Sequence, residues 1–244
     1  MKTSRRPQLL ALLVIALCAG GSLWWSHYTA FRYLSGETDE FVTQFAAPPA
    51  ADSAAARHEL DELLALQDHR TQTEVAAAQA DRKKDVSRFY AALGLDPTHP
   101  PDLPALQKFT DRAEAEIAQY VRVAKKKFRR LRPYEIEPKL QPCIDDVKGD
   151  LSYPSGHSSY GYLMGDLLSE LVPERRIVLM KRADEFARQR LVCGVHFPSD
   201  IEAGERGATF LFGRMHQSAA YREDELAASN ELRAALGLAP RQPY

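Results

Sequence analysis

Three short stretches hold the side chains that could do chemistry. In RLVCGVHFPSD, residues 190–200, His196 and Asp200 stand four apart. A carboxylate one turn on can accept the ring's Nδ1–H, which fixes the tautomer and leaves Nε2 as a nucleophile or base. Arg190 heads the same stretch and offers a planar fork for phosphate oxygens. In YPSGHSS, residues 153–159, Pro154 stops one element and Ser155 begins another. Ser155 as N-cap leaves the first-turn N–H groups and the positive end of the helix dipole for an anion. Gly156 lets a ligand approach the backbone, and His157 lies within reach of it. In KKKFRRLRP, residues 125–133, Lys125 and Arg132 are seven apart, two turns of one helix, so they share nearly one face. Pro133 then ends that helix.

Read singly, each stretch has an ordinary meaning. The first is a buried structural His–Asp pair, the second a capped helix with an incidental histidine, the third a solvated basic face. Seven of the eleven residues from Arg122 to Arg132 are basic, but no aromatics interleave with them as in a single-strand binder. The whole chain carries a formal charge of -1 and a pI near 6.7, which excludes a general polyanion binder. A zinc centre is disfavoured as well. His196 and Asp200 would supply two ligands, and the other histidines stand at no familiar spacing for a third.

Taken together, the pattern Lys125-x6-Arg132-Pro133, Pro154-Ser155-Gly156-His157, Arg190-x5-His196-x3-Asp200 resembles the signature of the phosphatidic acid phosphatase type 2/haloperoxidase superfamily. Within it, the chain is most similar to the class A bacterial non-specific acid phosphatases, over roughly residues 40–215. Gln189 departs from that pattern, standing where the family usually has serine. The resemblance implies hydrolysis of small phosphate monoesters without a metal or other cofactor. His196 would attack phosphorus, Asp200 would orient it, and His157 would protonate the leaving group. Lys125, Arg132, Arg190, Ser155 and Gly156 would hold the phosphate oxygens. Vanadate is then expected as an inhibitor. His157 has to start protonated and His196 neutral, which implies an acidic to near-neutral optimum. Two alternatives share the motifs: a peroxidase carrying vanadate as a prosthetic group, and a lipid-phosphate phosphatase acting from an anchored soluble domain. A non-catalytic phosphate binder is the reading from another class. No nucleic-acid polymer is expected as partner, and a homo-oligomer is left open.

The elements that position these residues read as helices almost throughout. Ser53 caps a helix with Leu60, Leu63, Leu64 and Leu66, and Thr73 starts another running through Val75, Val86, Phe89 and Leu93 to Gly94. Asp102 caps a long helix whose Phe109, Ala113, Ile117, Tyr120, Val121, Ala124, Phe128 and Leu131 recur at three- and four-residue steps. Ser155 caps the next, which Pro173 closes. A following helix carries Ile177, Phe186 and Leu191, and Asp200 begins one whose Gly204, Gly207 and Ala208 admit a close neighbour. A polar helix from about Glu223 to Leu236 ends the chain. No run alternates like a strand, so the expected fold is an all-α, single-domain helical bundle over residues 31–244, with the site built from helix ends. Tyr153, Tyr160 and Phe197 are candidates for a leaving-group pocket or for the core.

Residues 1–30 read as a separate segment. Lys2, Arg5 and Arg6 precede an uncharged run from Leu9 to Trp25, the form of a signal peptide or N-terminal anchor. The body, with mean hydropathy -0.38 for the chain, is expected in the periplasm or secreted. Residues 9–25 are either removed or left as a tether to the inner membrane. Export leaves Cys143 and Cys193 as an even pair in an oxidising compartment, which favours a disulfide over two buried thiols.

Overall fold

Where the helices start and stop decides which side chains can meet. The computed structural model describes residues 31–144 and 149–241, and among them every regular element is a helix. The leader reading of residues 1–30 lies outside the described residues. The unit from Arg32 onward carries all the elements that follow.

Helix α1 (Ala54–His69) opens as expected on Ser53, whose side chain accepts the Ala56 N–H. Helix α2 (Gln72–Ala80) is capped by Thr71 rather than Thr73. Only Thr71 has a glutamate three residues on, and the reciprocal bonds with Glu74 form a capping box. This helix does not continue to Leu93. Asp85 caps a separate 3-10 turn, Val86–Phe89, which leads into Tyr90–Leu93 and stops at Gly94, φ 79°. The intervening segment 81–85 is a loop that faces the site.

Helix α3 (Pro104–Phe128) places Leu103 at the N-cap, with Pro104 in its first turn, so Asp102 lies outside it. It buries Leu106, Phe109, Ala113, Ile117, Tyr120, Val121 and Ala124 along one stripe. Lys125 occupies the next position of that stripe and is buried with it. The helix ends at Phe128, because Arg129 adopts the left-handed conformation at φ 51°. Leu131, expected on the apolar stripe, is therefore 52% exposed. Arg132 is extended and serves as N-cap to the short turn Pro133–Ile136, so the two-turn register expected for Lys125 and Arg132 does not exist.

Helix α4 (Gly156–Leu171) is buried almost all round, the mark of a central element. It packs most extensively on α5 (Arg176–Val192), which follows a 3-10 turn at Pro173–Arg175, and next on α6 (Pro198–Met215). Phe186 of α5 is buried, whereas Ile177 is exposed. A Cβ on Gly204 of α6 would stand 2.7 Å from the Ser155 carbonyl oxygen. Glycine there lets α6 press against the start of α4, and Ser155 N–H donates to the Asp200 carbonyl at 2.9 Å. Helix α7 (Ala219–Ala235) closes the bundle against α3. No helix of the described residues is long and apolar enough to cross a membrane. Cys143 and Cys193 are joined as a disulfide that spans 50 residues of sequence.

Candidate active site

His196 lies between α5 and α6 and is 2% exposed. Its Nδ1 is 3.1 Å from Asp200 Oδ2, the i,i+4 pairing anticipated from spacing. Its Nε2 is 2.6 Å from Arg132 Nη1. A guanidinium can only donate, so Nε2 is the lone-pair nitrogen and Nδ1 carries the proton. Burial, then Arg132, Lys125, His157 and Arg190, hold this ring well below the usual histidine range. It is neutral.

Asp200 is fully buried. Besides the ring, it accepts from Arg130 Nη1 at 2.7 Å, from the Phe197 N–H at 2.9 Å and from Ser152 Oγ. Burial nevertheless outweighs these donors and raises its carboxyl above the ordinary range. Arg130 extends the network to Glu59 at 2.6 Å and Ser199 Oγ at 2.7 Å, and its guanidinium lies 3.7 Å over the Phe197 ring. Sequence reading passed over Arg130, Ser152 and Glu59. Arg130 was visible only as one charge in a basic run, and its partners are about seventy residues away.

Lys125 and Arg132 meet, but not by sharing a helix face. Asp150 brings them together, accepting from Lys125 Nζ at 3.2 Å and Arg132 Nη2 at 2.6 Å through one carboxylate oxygen. Main-chain acceptors hold them as well. Arg132 Nε donates to the Asp150 carbonyl at 3.0 Å, and Lys125 Nζ to the Leu151 carbonyl. Burial, followed by repulsion from Arg132, pulls the Lys125 ammonium down to about 8. Burial alone would raise Asp150, but Lys125 and Arg132 outweigh it and leave the carboxyl below its usual range. Arg190 is fully buried and donates from Nη2 to the Ala78 carbonyl at 2.7 Å. Its neighbour Gln189 keeps a buried side-chain oxygen that has no hydrogen-bond partner among the described residues.

The start of α4 forms the opposite wall. Ser155 Oγ caps the Ser158 N–H at 3.2 Å, and the Ser155 N–H is taken by Asp200. Ser155 therefore shapes the turn rather than offering its own N–H to an anion. The N–H groups of Gly156 and His157 are those with no intrahelical acceptor. His157 Nε2 donates to the Arg82 carbonyl at 2.8 Å, in the loop after α2. Burial and then Arg190, with smaller contributions from Lys84 and Arg132, pull this histidine down to about 3. In the free protein His157 is neutral at mildly acid pH, against the expectation that it starts protonated.

These walls enclose a cavity of about 260 Å³, lined by Lys125, Arg132, Asp150, Gly156, His157 and His196, with Lys84, Arg122 and Tyr160 among the remaining lining residues. Of the three aromatic candidates, only Tyr160 lines it. Tyr153 packs on Phe45 and Phe128 and donates to the Ala46 carbonyl, while Phe197 lies beneath Arg130. Lys84, paired with Glu114, joins the site from a loop that showed no motif.

Comparison with known proteins agrees with this geometry. The family model described as the PAP2 superfamily matches residues 115–223, which contain all three stretches. The chain is 35% identical over 113 residues to a non-specific acid phosphatase of Salmonella typhimurium, covering 45% of each chain. It is 32% identical over 146 residues to an acid phosphatase of Zymomonas mobilis, covering 58% of this chain and 54% of that one. To a non-specific acid phosphatase of Providencia stuartii it is 30% identical over 164 residues, 65% of this chain and 66% of the relative. The first of these matches span about half the length of the curated relatives.

Proposed function

The chain belongs to the PAP2 superfamily, and from that premise we propose that it is an exported acid phosphatase that hydrolyses phosphate monoesters through a phosphohistidine on His196. The observation that carries this reading is the state of His196. The ring is neutral and its proton is fixed on Nδ1 by Asp200. Its Nε2 is the lone-pair nitrogen, capped by Arg132 Nη1 in the free protein, and His196 lines the cavity that holds Lys125 and Arg132.

The reaction would run in two displacements. Nε2 forms a bond to phosphorus as the bond from phosphorus to the ester oxygen breaks, and His157 gives that oxygen a proton. The Arg132 Nη1–H that caps Nε2 in the free protein passes to a non-bridging oxygen, while the other Nη1–H stays on the Val195 carbonyl. Lys125, Arg190 and the N–H groups of Gly156 and His157 share the developing negative charge. Asp200 balances the imidazolium that results. His157 then takes a proton from water as the water oxygen attacks phosphorus, the Nε2–P bond breaks, and the departing phosphate carries that proton away, leaving His157 neutral. The Arg82 carbonyl, by fixing the proton on Nε2 of His157, leaves Nδ1 as the nitrogen that gains and loses the mobile proton.

The lowered His157 pKa gives the proton a different origin from the one expected. The free enzyme does not hold it at pH 5, whereas a monoester monoanion does, with a second ionisation near about 6. The ester brings the proton and passes it to His157 once its own charge has entered the site. The cationic groups supply the charge neutralisation, so turnover is expected in excess chelator, and vanadate, a stand-in for five-coordinate phosphorus, is expected to inhibit. The disulfide supports an oxidising location.

The test is hydrolysis of p-nitrophenyl phosphate at pH 5–6 with EDTA, beside His196→Ala. Steady turnover that the variant loses supports the reading. A parent protein that binds phosphate but turns over no monoester overturns it.

A further inference from the structure

The cations of the site are not all held by the same kind of anion. Asp200 is sealed inside, but the Asp150 side chain is 56% exposed, while the Lys125 and Arg132 side chains that it joins are 9% and 2% exposed. An exposed carboxylate lying on two buried cations can leave for water by side-chain rotation, and such a pairing is worth little. The cations do not depend on that side chain for their position. Arg132 Nε stays on the Asp150 carbonyl, Lys125 on the Leu151 carbonyl, and Arg132 Nη1 on the Val195 carbonyl at 2.8 Å. All three contacts are to backbone.

Resting on the phosphatase reading above, we propose that Asp150 is an internal competitor for the phosphate-binding place. Its carboxylate occupies, in the free protein, the place between Lys125 and Arg132 that two non-bridging phosphate oxygens take in the complex. An entering group must replace one negative charge there. A phosphomonoester replaces it with two, once its proton has passed to His157. A phosphodiester brings one charge and no proton to pass, yet it has to displace the same carboxylate at the same cost. Asp150 thereby weakens the binding of every entering anion by one common factor, and it keeps two buried cations neutralised while the site is empty.

Asp150→Ala in the full chain, with Asp150→Asn as the near-isosteric companion, tests this by calorimetric titration of inorganic phosphate. Removing a competitor worth about 1 kcal/mol makes phosphate bind about fivefold tighter. The ratio of kcat/KM for p-nitrophenyl phosphate over bis(p-nitrophenyl) phosphate stays close to the parent's, because either ester displaces the same carboxylate. Unchanged or weaker phosphate binding, in either variant that keeps the parent's circular dichroism spectrum, overturns the proposal and makes Asp150 a holder of the cations. The titration reads binding alone, so it judges Asp150 even if the parent hydrolyses neither ester, the outcome that would overturn the phosphatase reading instead.

Discussion

The two histidines of the site sit in unlike surroundings. His196 is buried and bonded on both ring nitrogens, to Asp200 and to Arg132, with Ser152 Oγ 3.3 Å from its Nδ1. Asp200 is fixed in turn by Arg130, whose other partner is Glu59, and Cys193 ties the segment three residues earlier to Cys143. The His157 ring is hydrogen-bonded, among the described residues, to a main-chain oxygen of a loop, and it lies stacked near Phe186 with centroids 6.1 Å apart. One ring is held in a single tautomer and orientation. The other is tethered at one nitrogen and takes its charge state from whatever enters. That division suits a nucleophile that must meet phosphorus in line and an acid that must serve leaving groups of different shape.

Changes on the fixed side should therefore cost most. His196→Ala is expected to lower kcat by about 10⁴-fold or more, since no second group can accept the phosphoryl. Arg130→Ala leaves Glu59 and Asp200 as buried carboxylates without their shared cation, and should lower the unfolding free energy by about 3–5 kcal/mol in urea titration. A loss within the range of surface pairs would show that the fixed side is looser than described. His157→Ala is expected to lower kcat by about 10²–10⁴-fold on an alkyl phosphate. The loss should be much smaller on p-nitrophenyl phosphate, whose leaving group needs little protonation. Equal losses on both esters would remove the acid role.

The smallest effect concerns pH. A lowered histidine pKa means the neutral ring persists down to that value, so His157 is neutral above about 3 in the free protein. The fall of kcat/KM on the alkaline side should then follow the second ionisation of the ester, near about 6. Esters with lower second pKa values should move that limb down with them. A limb that stays put across a series of esters would return the proton to the enzyme.

The sequence was most legible where partners are neighbours. His196 and Asp200 lie one turn apart, Ser155 caps its own helix, and the stripe on α3 carries Lys125 inward at helical spacing. Arg132 lines the cavity, but not for the reason its spacing gave. The helix stops at Arg129, a non-glycine residue at positive φ, and such a stop has no residue signature to read. The contacts that finish the site are distant in sequence. Arg130 reaches Glu59 across 71 positions and His157 reaches Arg82 across 75. One of those is a main-chain oxygen, which no residue type announces. Asp150 preceded a recognisable motif but stood outside it. Tyr153, Tyr160 and Phe197 could not be sorted between pocket and core until α4 and α6 were seen against each other.

The central claim is that His196 Nε2 becomes covalently bonded to phosphorus. Rapid mixing of the full chain with a ³²P-labelled monoester, quenching in alkali and peptide mapping would test it directly. The account predicts a base-stable, acid-labile label on the peptide that contains His196. The label should be absent from His196→Ala and should accumulate in His157→Ala with an activated ester. A productive single turnover that leaves no label on the protein, in the parent and in His157→Ala alike, would contradict it.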